Sequence, residues 1–309
     1  MIDYPSLLAL ATVVREGSFD KAARTLHVTP SAVSQRIRAL EERLGCSLVV
    51  RGQPCEATET GRRLCQHLDR VRLLEHELQA QMPTQTSVLE ASVPTRVSLP
   101  VAVNADSLAT WFMPAMADFA PDAAVLLQIA VDDEHHTAQW LRSGQVLAAV
   151  TATAAPAAGC NSQPLGALRY VAAASPAFMA RYFPEGVDAA SLATAPSLMF
   201  NAKDELQQRW VMRHGGPLPS PAQRGGLQLP RHILPSSQAF VAAALGGIGW
   251  GLHPEMLVRE HLARGDLVAL KPDSALEVPL YWQQARMASS LLADLTQSVF
   301  KAARAGLVA

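Results

Sequence analysis

Two groups of side chains have types and spacings suited to chemistry. Thr29, Pro30, Ser31, Ser34, Gln35, Arg36 and Arg38 stand close together, and Arg51 follows. Serine, glutamine and arginine can bond base edges, and a glutamine amide can meet adenine N6 and N7 in bidentate fashion. Ser31, Ser34, Gln35 and Arg38 are therefore candidates for base contact. Arg36, Arg51 and the Thr29 hydroxyl are candidates for phosphate, which supplies affinity rather than sequence choice. The second group is scattered: Asn104, Asp106, Ser107, Asp133, Glu134, Asp204, Ser236 and Ser237. Serine hydroxyls and free helix N–H groups suit a carboxylate, such as that of an amino acid. The four acids suit a cationic side chain or α-ammonium, which is costly to bury unpaired. Taken singly, Asp106 and the Asp133-Glu134 pair read equally as helix caps.

The first group needs a helix to present it. Leu7, Leu8, Leu10, Ala11 and Val14 repeat at helical spacing up to Gly17. Ser18 suits the N-cap of a second, short helix running to about Leu26. Thr29 suits the N-cap of a third, with Pro30 at its first position, where a missing N–H costs nothing. Ala32, Val33, Ile37, Leu40 and Leu44 form its apolar side, and Gly45 ends it. Two short helices joined by a tight turn make a helix-turn-helix, whose second helix can enter a DNA major groove. A plain three-helix bundle with a solvated polar face has the same pattern. Residues 48–51 and 56–58 form a hairpin wing turning at Gly52-Gln53-Pro54, with Arg51 near its tip. A long helix spans about 59–81. Its seam of Leu64, Leu68, Val71, Leu74 and Leu78 serves either its own domain or a dimer of coiled-coil type. Residues 82–95 lack periodicity, carry two prolines and read as a hinge linker.

The second group needs a sheet. Strand-like runs fall at 97–103, 124–131, 146–151, 167–174, 229–234, 247–252 and 278–283. Helical runs fall near 106–119, 135–143, 176–183, 203–213, 236–246, 254–264 and 288–304. Such alternation predicts an α/β architecture with mainly parallel sheets, divided by its length into two lobes with a cleft. Ligands of such sheets sit beyond the carboxyl ends of strands. Asn104–Ser107 follows the first strand, Asp133-Glu134 the second, and Ser236-Ser237 precedes a helix, so the group converges on one edge.

Composition sets the limits. The chain has 309 residues, 49% hydrophobic and 17% charged, enough for a large core. Its net charge of -1 excludes a wholly basic nucleic-acid coat protein. Basic residues concentrate early: residues 14–72 hold 11 Lys/Arg against 7 Asp/Glu, and residues 81–309 hold 15 against 17. Cys46, Cys55, Cys65 and Cys160 match no zinc spacing and read as incidental thiols, with a redox or metal sensor as the alternative. The start lacks a signal-peptide pattern, and the longest uncharged stretch, 143–168, is broken by Pro156, Pro164 and three glycines. The expectation is a cytoplasmic protein without membrane association.

The run Phe19-Asp20-Lys21-Ala22-Ala23-Arg24-Thr25-Leu26, then Thr29 through Glu41, then Leu44-Gly45, resembles the N-terminal domain of LysR-type transcriptional regulators. Val103-Asn104-Ala105-Asp106-Ser107-Leu108-Ala109-Thr110-Trp111 resembles the start of the effector domain in the ArgP/LysG branch, as do Val131–Glu134, Tyr182-Phe183-Pro184, Pro235–Val241 and Leu280-Tyr281-Trp282. The resemblance covers nearly the whole chain. It implies an α+β multidomain protein. A winged helix-turn-helix (1–58) and a linker or dimerisation helix (59–81) lead through the hinge (82–95) to a two-lobed effector domain like periplasmic binding proteins (96–309). Lobe I would take about 96–163 and 267–309, and lobe II about 164–266. It further implies double-stranded DNA with a pseudo-palindromic operator as partner, RNA polymerase, a homodimer assembling to a homotetramer, and lysine or arginine as effector. The family commonly has glutamine where Pro30 stands, so base readout rests more on Ser31, Ser34 and Gln35. Residues 151–163 and 246–251 depart from the branch and leave another amino acid or a small carboxylate open as effector.

Other signals are weaker. His135-His136 reads as a solvated first turn or as part of a metal site. The glycines at 246, 247, 249 and 251 lack nucleotide-loop spacing. Tyr281-Trp282 reads as core strand or ligand cage. No cofactor is called for, and no nucleophile elbow or catalytic constellation stands out, so the expectation is not an enzyme. A solute-binding protein is the rival of another class.

Overall fold

The computed structural model describes residues 3–81, 97–119, 125–132, 137–215, 229–288 and 292–309. The chain divides into two units, Met1–Val97 and Ser98–Ala309. The 82–95 linker, Asp133, Glu134 and His135-His136 lie outside the described residues.

The first unit contains α1 (Tyr4–Glu16), α2 (Phe19–Thr25), α3 (Pro30–Leu44), β1 (Val49–Val50), β2 (Glu56–Ala57) and α4 (Glu59–Gln81). The predicted caps are in place. The Thr29 hydroxyl accepts from the Ala32 N–H at 3.2 Å, Pro30 opens α3, and Gly45 closes it in the left-handed region. One apolar core joins Leu10 and Val13 of α1, Ala22 of α2, Val33, Ile37 and Leu40 of α3, Leu48, and Leu68 of α4. β1 and β2 pair antiparallel, Val49 opposite Ala57, as the wing. The wing is pinned where it meets α4. The Leu48 N–H donates to Glu41 Oε1 at 2.7 Å, and its carbonyl accepts from the Thr58 N–H at 3.0 Å. The Thr58 hydroxyl accepts from the Gly61 N–H at 3.1 Å and donates to the Ser47 carbonyl at 2.9 Å. A Cβ on residue 61 would lie 2.1 Å from the Leu48 carbonyl oxygen, so only glycine lets helix and wing approach this closely. The α4 seam is divided: Leu68 is buried and Leu64 packs on the same core, whereas Leu74 and Leu78 are 45% and 59% exposed.

The second unit contains β3 (Val97–Asn104), α5 (Ala105–Ala109), α6 (Phe112–Phe119), β4 (Val125–Asp132), α7 (Thr137–Arg142), β5 (Ala148–Thr151), β6 (Cys160–Ala174), α8 (Pro176–Tyr182), α9 (Ala189–Leu192) and β7 (Ser197–Met199). It continues with α10 (Leu206–His214), β8 (Arg231–Ile233), α11 (Ser237–Leu245), β9 (Gly251–Pro254), α12 (Glu255–Arg264), β10 (Val268–Ala269), β11 (Leu276–Ala285) and α13 (Ala293–Gly306). The large sheet runs β10-β6-β11-β5-β3-β4, with β9 also on β6. Two long strands join its halves. The first part of β6 (160–164) pairs with the end of β11, which also pairs with β5; its last part (170–174) pairs with β9 and β10. A register shift at Leu280/Tyr281 faces Gly166, which has φ +121° and leaves no room for a Cβ beside the Val308 carbonyl.

The expectation of mainly parallel sheets is corrected here. β3 pairs β5 in parallel and β7 pairs β8 in parallel, but β6 and β11 run antiparallel to each other, and to β5, β9 and β10. Helix alternation reports crossovers. It is silent on a strand that carries the chain from one half of a sheet to the other. The predicted 106–119 helix is two helices, broken at Thr110 (φ −124°, ψ −102°). β6 extends seven residues upstream of its expected start, through Pro164 and Gly166. The strand expected at 247–252 begins at Gly251, and the short β7 and α9 escaped the pattern.

Candidate functional site

α3 presents a polar face. Thr29, Pro30, Ser31, Gln35 and Arg38 are exposed, while Ser34 and Arg36 are half-buried. Their spacing follows from one turn geometry: Val33, Ile37 and Leu40 are buried, which turns the positions between them outward. Thr29 spends its hydroxyl oxygen on the helix cap. Arg38 pairs with Glu42 at 3.1 Å on the open surface, an interaction of little stabilising weight that phosphate or a base edge can replace. Arg51 is exposed, with its guanidinium 5.5 Å over the Phe19 ring. Helix and wing tip thus carry an uncompensated arginine and a row of small polar groups, which suits a groove lined by phosphates.

Three of the scattered residues, Asp106, Asp204 and Ser237, line one cavity in the second unit. Its lining includes Asp106, Phe200, Asp204, Gln207, Ser237 and Phe240, and its free space, mouth included, is about 460 Å³. Asp106 sits in the first turn of α5 and does not cap it. Its Oδ2 accepts from the Tyr170 hydroxyl at 2.9 Å and its Oδ1 from the Ser237 hydroxyl at 2.6 Å, tying α5 to β6 and α11. Asp204, 7% exposed, accepts from the backbone N–H groups of Phe200 (2.9 Å) and Leu206 (3.0 Å).

The other expected members take different positions. Asn104 is buried as the N-cap residue of α5 and makes no side-chain cap bond. Ser107 is fully buried, and its Oγ accepts from Trp111 Nε1 at 3.0 Å, an internal strut. Ser236 caps α11 by accepting from the Ala239 N–H at 3.3 Å. Sequence reasoning missed Gln207, Phe200 and Phe240. Gln207 lies in the first turn of α10, three residues past Asp204, and that acid was the available signal. His253 on β9 is fully buried, and burial, opposed only in part by the Ala173 backbone, holds its imidazole down at about 4, hence neutral. The four cysteines are free, and burial pushes the Cys65 thiol up to about 11, away from reactivity.

A winged helix-turn-helix joined to a mixed-sheet unit with an acid-lined cavity fits a ligand-responsive DNA-binding transcription regulator. The family comparison makes this specific: residues 5–62 match the bacterial regulatory helix-turn-helix model of the lysR family, and residues 95–304 match the LysR substrate binding domain. The chain belongs to the LysR family. It is 44% identical over 308 residues to the transcriptional regulator ArgP of Pseudomonas aeruginosa, covering 100% of this chain and 98% of that one. It is 44% identical over 306 residues to LysG of Mycobacterium tuberculosis, covering 99% and 95%. Among solved structures it is similar to ArgP from M. tuberculosis (43% identity, TM-score 0.79, covering 100% and 99%). It is also similar to full-length LysG from Corynebacterium glutamicum with bound effector Arg (37% identity, TM-score 0.68, covering 99% and 100%). No helix among the described residues is long and apolar enough to cross a membrane.

Proposed function

We propose that this regulator senses a basic amino acid, lysine or arginine, and controls genes for the export or metabolism of such amino acids. One observation carries the reading: Asp106 and Asp204, from distant parts of the chain, line one cavity whose described lining contains no lysine or arginine. A pair of carboxylates in one cavity suits the cationic group of a basic amino acid, and a site screened from water strengthens the attraction. The bound arginine of the C. glutamicum relative supports the same chemistry. Asp133 and Glu134 belong to the proposed site by the resemblance.

On the DNA side, Ser31, Ser34, Gln35 and Arg38 read bases, while Thr29, Arg36 and Arg51 hold phosphate and Pro30 sets the start of the reading helix. A symmetric dimer would place two such helices in neighbouring major grooves about 34–36 Å apart, on a pseudo-palindromic operator. The exposed Leu74 and Leu78 support the linker helix as the dimer seam. Assembly to a homotetramer, contact with RNA polymerase, a cytoplasmic location and the absence of turnover complete the reading. So do the division into 1–58, 59–81, 82–95 and 96–309, and the two lobes within the last.

The test is a thermal-shift series with lysine, arginine, leucine and glutamate on the full chain. A ligand at 100 times its Kd adds about 2.7 kcal/mol to the native state. Lysine or arginine should raise the midpoint, leucine and glutamate should not, and Asp106→Asn should abolish the response. A midpoint raised by glutamate or leucine instead would overturn the basic-amino-acid reading and leave DNA regulation standing.

A further inference from the structure

Gln207 is 1% exposed, lines the cavity that holds Asp106 and Asp204, and its Oε1 has no hydrogen-bond partner among the described residues. A buried amide oxygen without a donor is a cost to the unliganded protein, and such atoms are rare unless something else satisfies them. Asn104, immediately before the cavity residues Ala105 and Asp106, carries a second orphan of the same kind in its Oδ1. The two carboxylates and the two amide oxygens are all acceptors. Asp106, Asp204 and the Gln207 oxygen therefore bring acceptors to one cavity, and the Gln207 oxygen has no donor among the described residues, which suits a group that donates.

Resting on the basic-amino-acid reading, we infer that Gln207 is a specificity-determining residue of this site: its Oε1 accepts an N–H from the cationic end of the effector side chain. Asp106 and Asp204 supply charge, to which any cation responds at a distance. The Gln207 oxygen supplies direction, because it is satisfied only by a donor aimed at it. An uncharged, equally long side chain such as that of norleucine leaves it orphaned, and a site built around a missing donor rejects such an analogue strongly. Gln207 sits in the first turn of α10, close behind Asp204, whose carboxylate ties that turn to the Phe200 N–H. The amide and the carboxylate are thereby held on one short segment, as a paired contact requires.

The experiment is isothermal titration of the full chain with L-lysine, L-arginine and L-norleucine, for wild type, Gln207→Met and Gln207→Glu. Methionine keeps the length and helix preference and removes the acceptor; glutamate keeps an acceptor oxygen in the same place. Q207M should weaken the cationic ligand about 10- to 100-fold, the range for a hydrogen bond to a charged group. It should leave norleucine unchanged or tighter, and it should melt no lower than wild type without ligand, because the orphan is gone. Q207E should retain cationic binding. Unchanged affinity of Q207M for the cationic ligands overturns the inference, as does an equal loss for norleucine, which would place the contact at the α-amino group. A loss in Q207E as large as in Q207M overturns it too, since packing alone would then be responsible. Wild type that binds neither lysine nor arginine overturns the reading on which it rests.

Discussion

The two recognition surfaces solve the solvation of polar groups in opposite ways. On α3 the side chains proposed to read DNA are exposed or half-buried, so water satisfies them in the free protein. Their cost in the free protein is small, and the apolar side of the same helix carries the stability. In the cavity proposed for the effector, Asp204, Gln207 and Ser237 are buried and must be satisfied from within. Asp106 takes two hydroxyls and Asp204 two backbone N–H groups, while the Gln207 oxygen has no partner among the described residues. The lesson is that an exposed polar face costs the free protein little, whereas a buried amide oxygen without a donor is a cost that a bound donor would relieve. Binding should therefore stabilise the second unit far more than DNA stabilises the first.

That contrast can be broken at three points. The largest effect is expected from Gly61→Ala. The new Cβ must push the Leu48 carbonyl, which is already bonded to the Thr58 N–H, so α4 and the wing have to separate. A loss of about 3 kcal/mol or more in the first unit and of operator binding is expected, with effector affinity within twofold of wild type, as calorimetry would read. Loss of effector affinity as well would mean that the units share their stability. A middle effect concerns pH. The native imidazole of His253 is held down at about 4, below its ordinary 6.5, so the unfolded chain takes the proton first. Stability contributed by its neutral state is present above pH 6.5 and is lost as pH falls towards 4, by about 3 kcal/mol in all. Denaturant titrations at pH 7 and 4.5 should show a steeper loss in wild type than in His253→Leu; parallel slopes would dismiss the residue as a titrating element. The smallest effect is on α3. Gln35→Ala should cost about 1–3 kcal/mol on the operator and relax choice at a single base pair. Equal weakening on random DNA would return Gln35 to the phosphate contacts.

Much of the first unit was legible because its determinants are local. Thr29, Pro30 and Gly45 each act on the turn that contains them, and the period of Val33, Ile37 and Leu40 fixes which side faces out. The cavity was legible only in its acids and one serine. Asp106, Asp204 and Ser237 meet there; Gln207 and Phe240 each follow one of them by three residues but are of types that announce no ligand, and Tyr170, which holds Asp106, comes from elsewhere in the chain. Ser107 and Ser236 had the right types and were taken by the fold itself, one by the indole of Trp111 and the other by a helix end. Strand direction was lost for a related reason: β6 and β11 are long connecting strands, and alternation with helices carries no information about which way they run.

The guanidinium of Arg51 rests over the ring of Phe19, the first residue of α2. An arginine on an open wing would ordinarily sample many rotamers and surrender that freedom on meeting a phosphate. Here the aromatic face has already removed part of it, and the wing tip is coupled to the helix-turn-helix before any duplex arrives. For the phosphate contact proposed at Arg51, the entropy lost on docking is correspondingly smaller, so more of the charge attraction survives as affinity. The wing meets DNA already aimed, and productive collisions make up a larger share of all collisions.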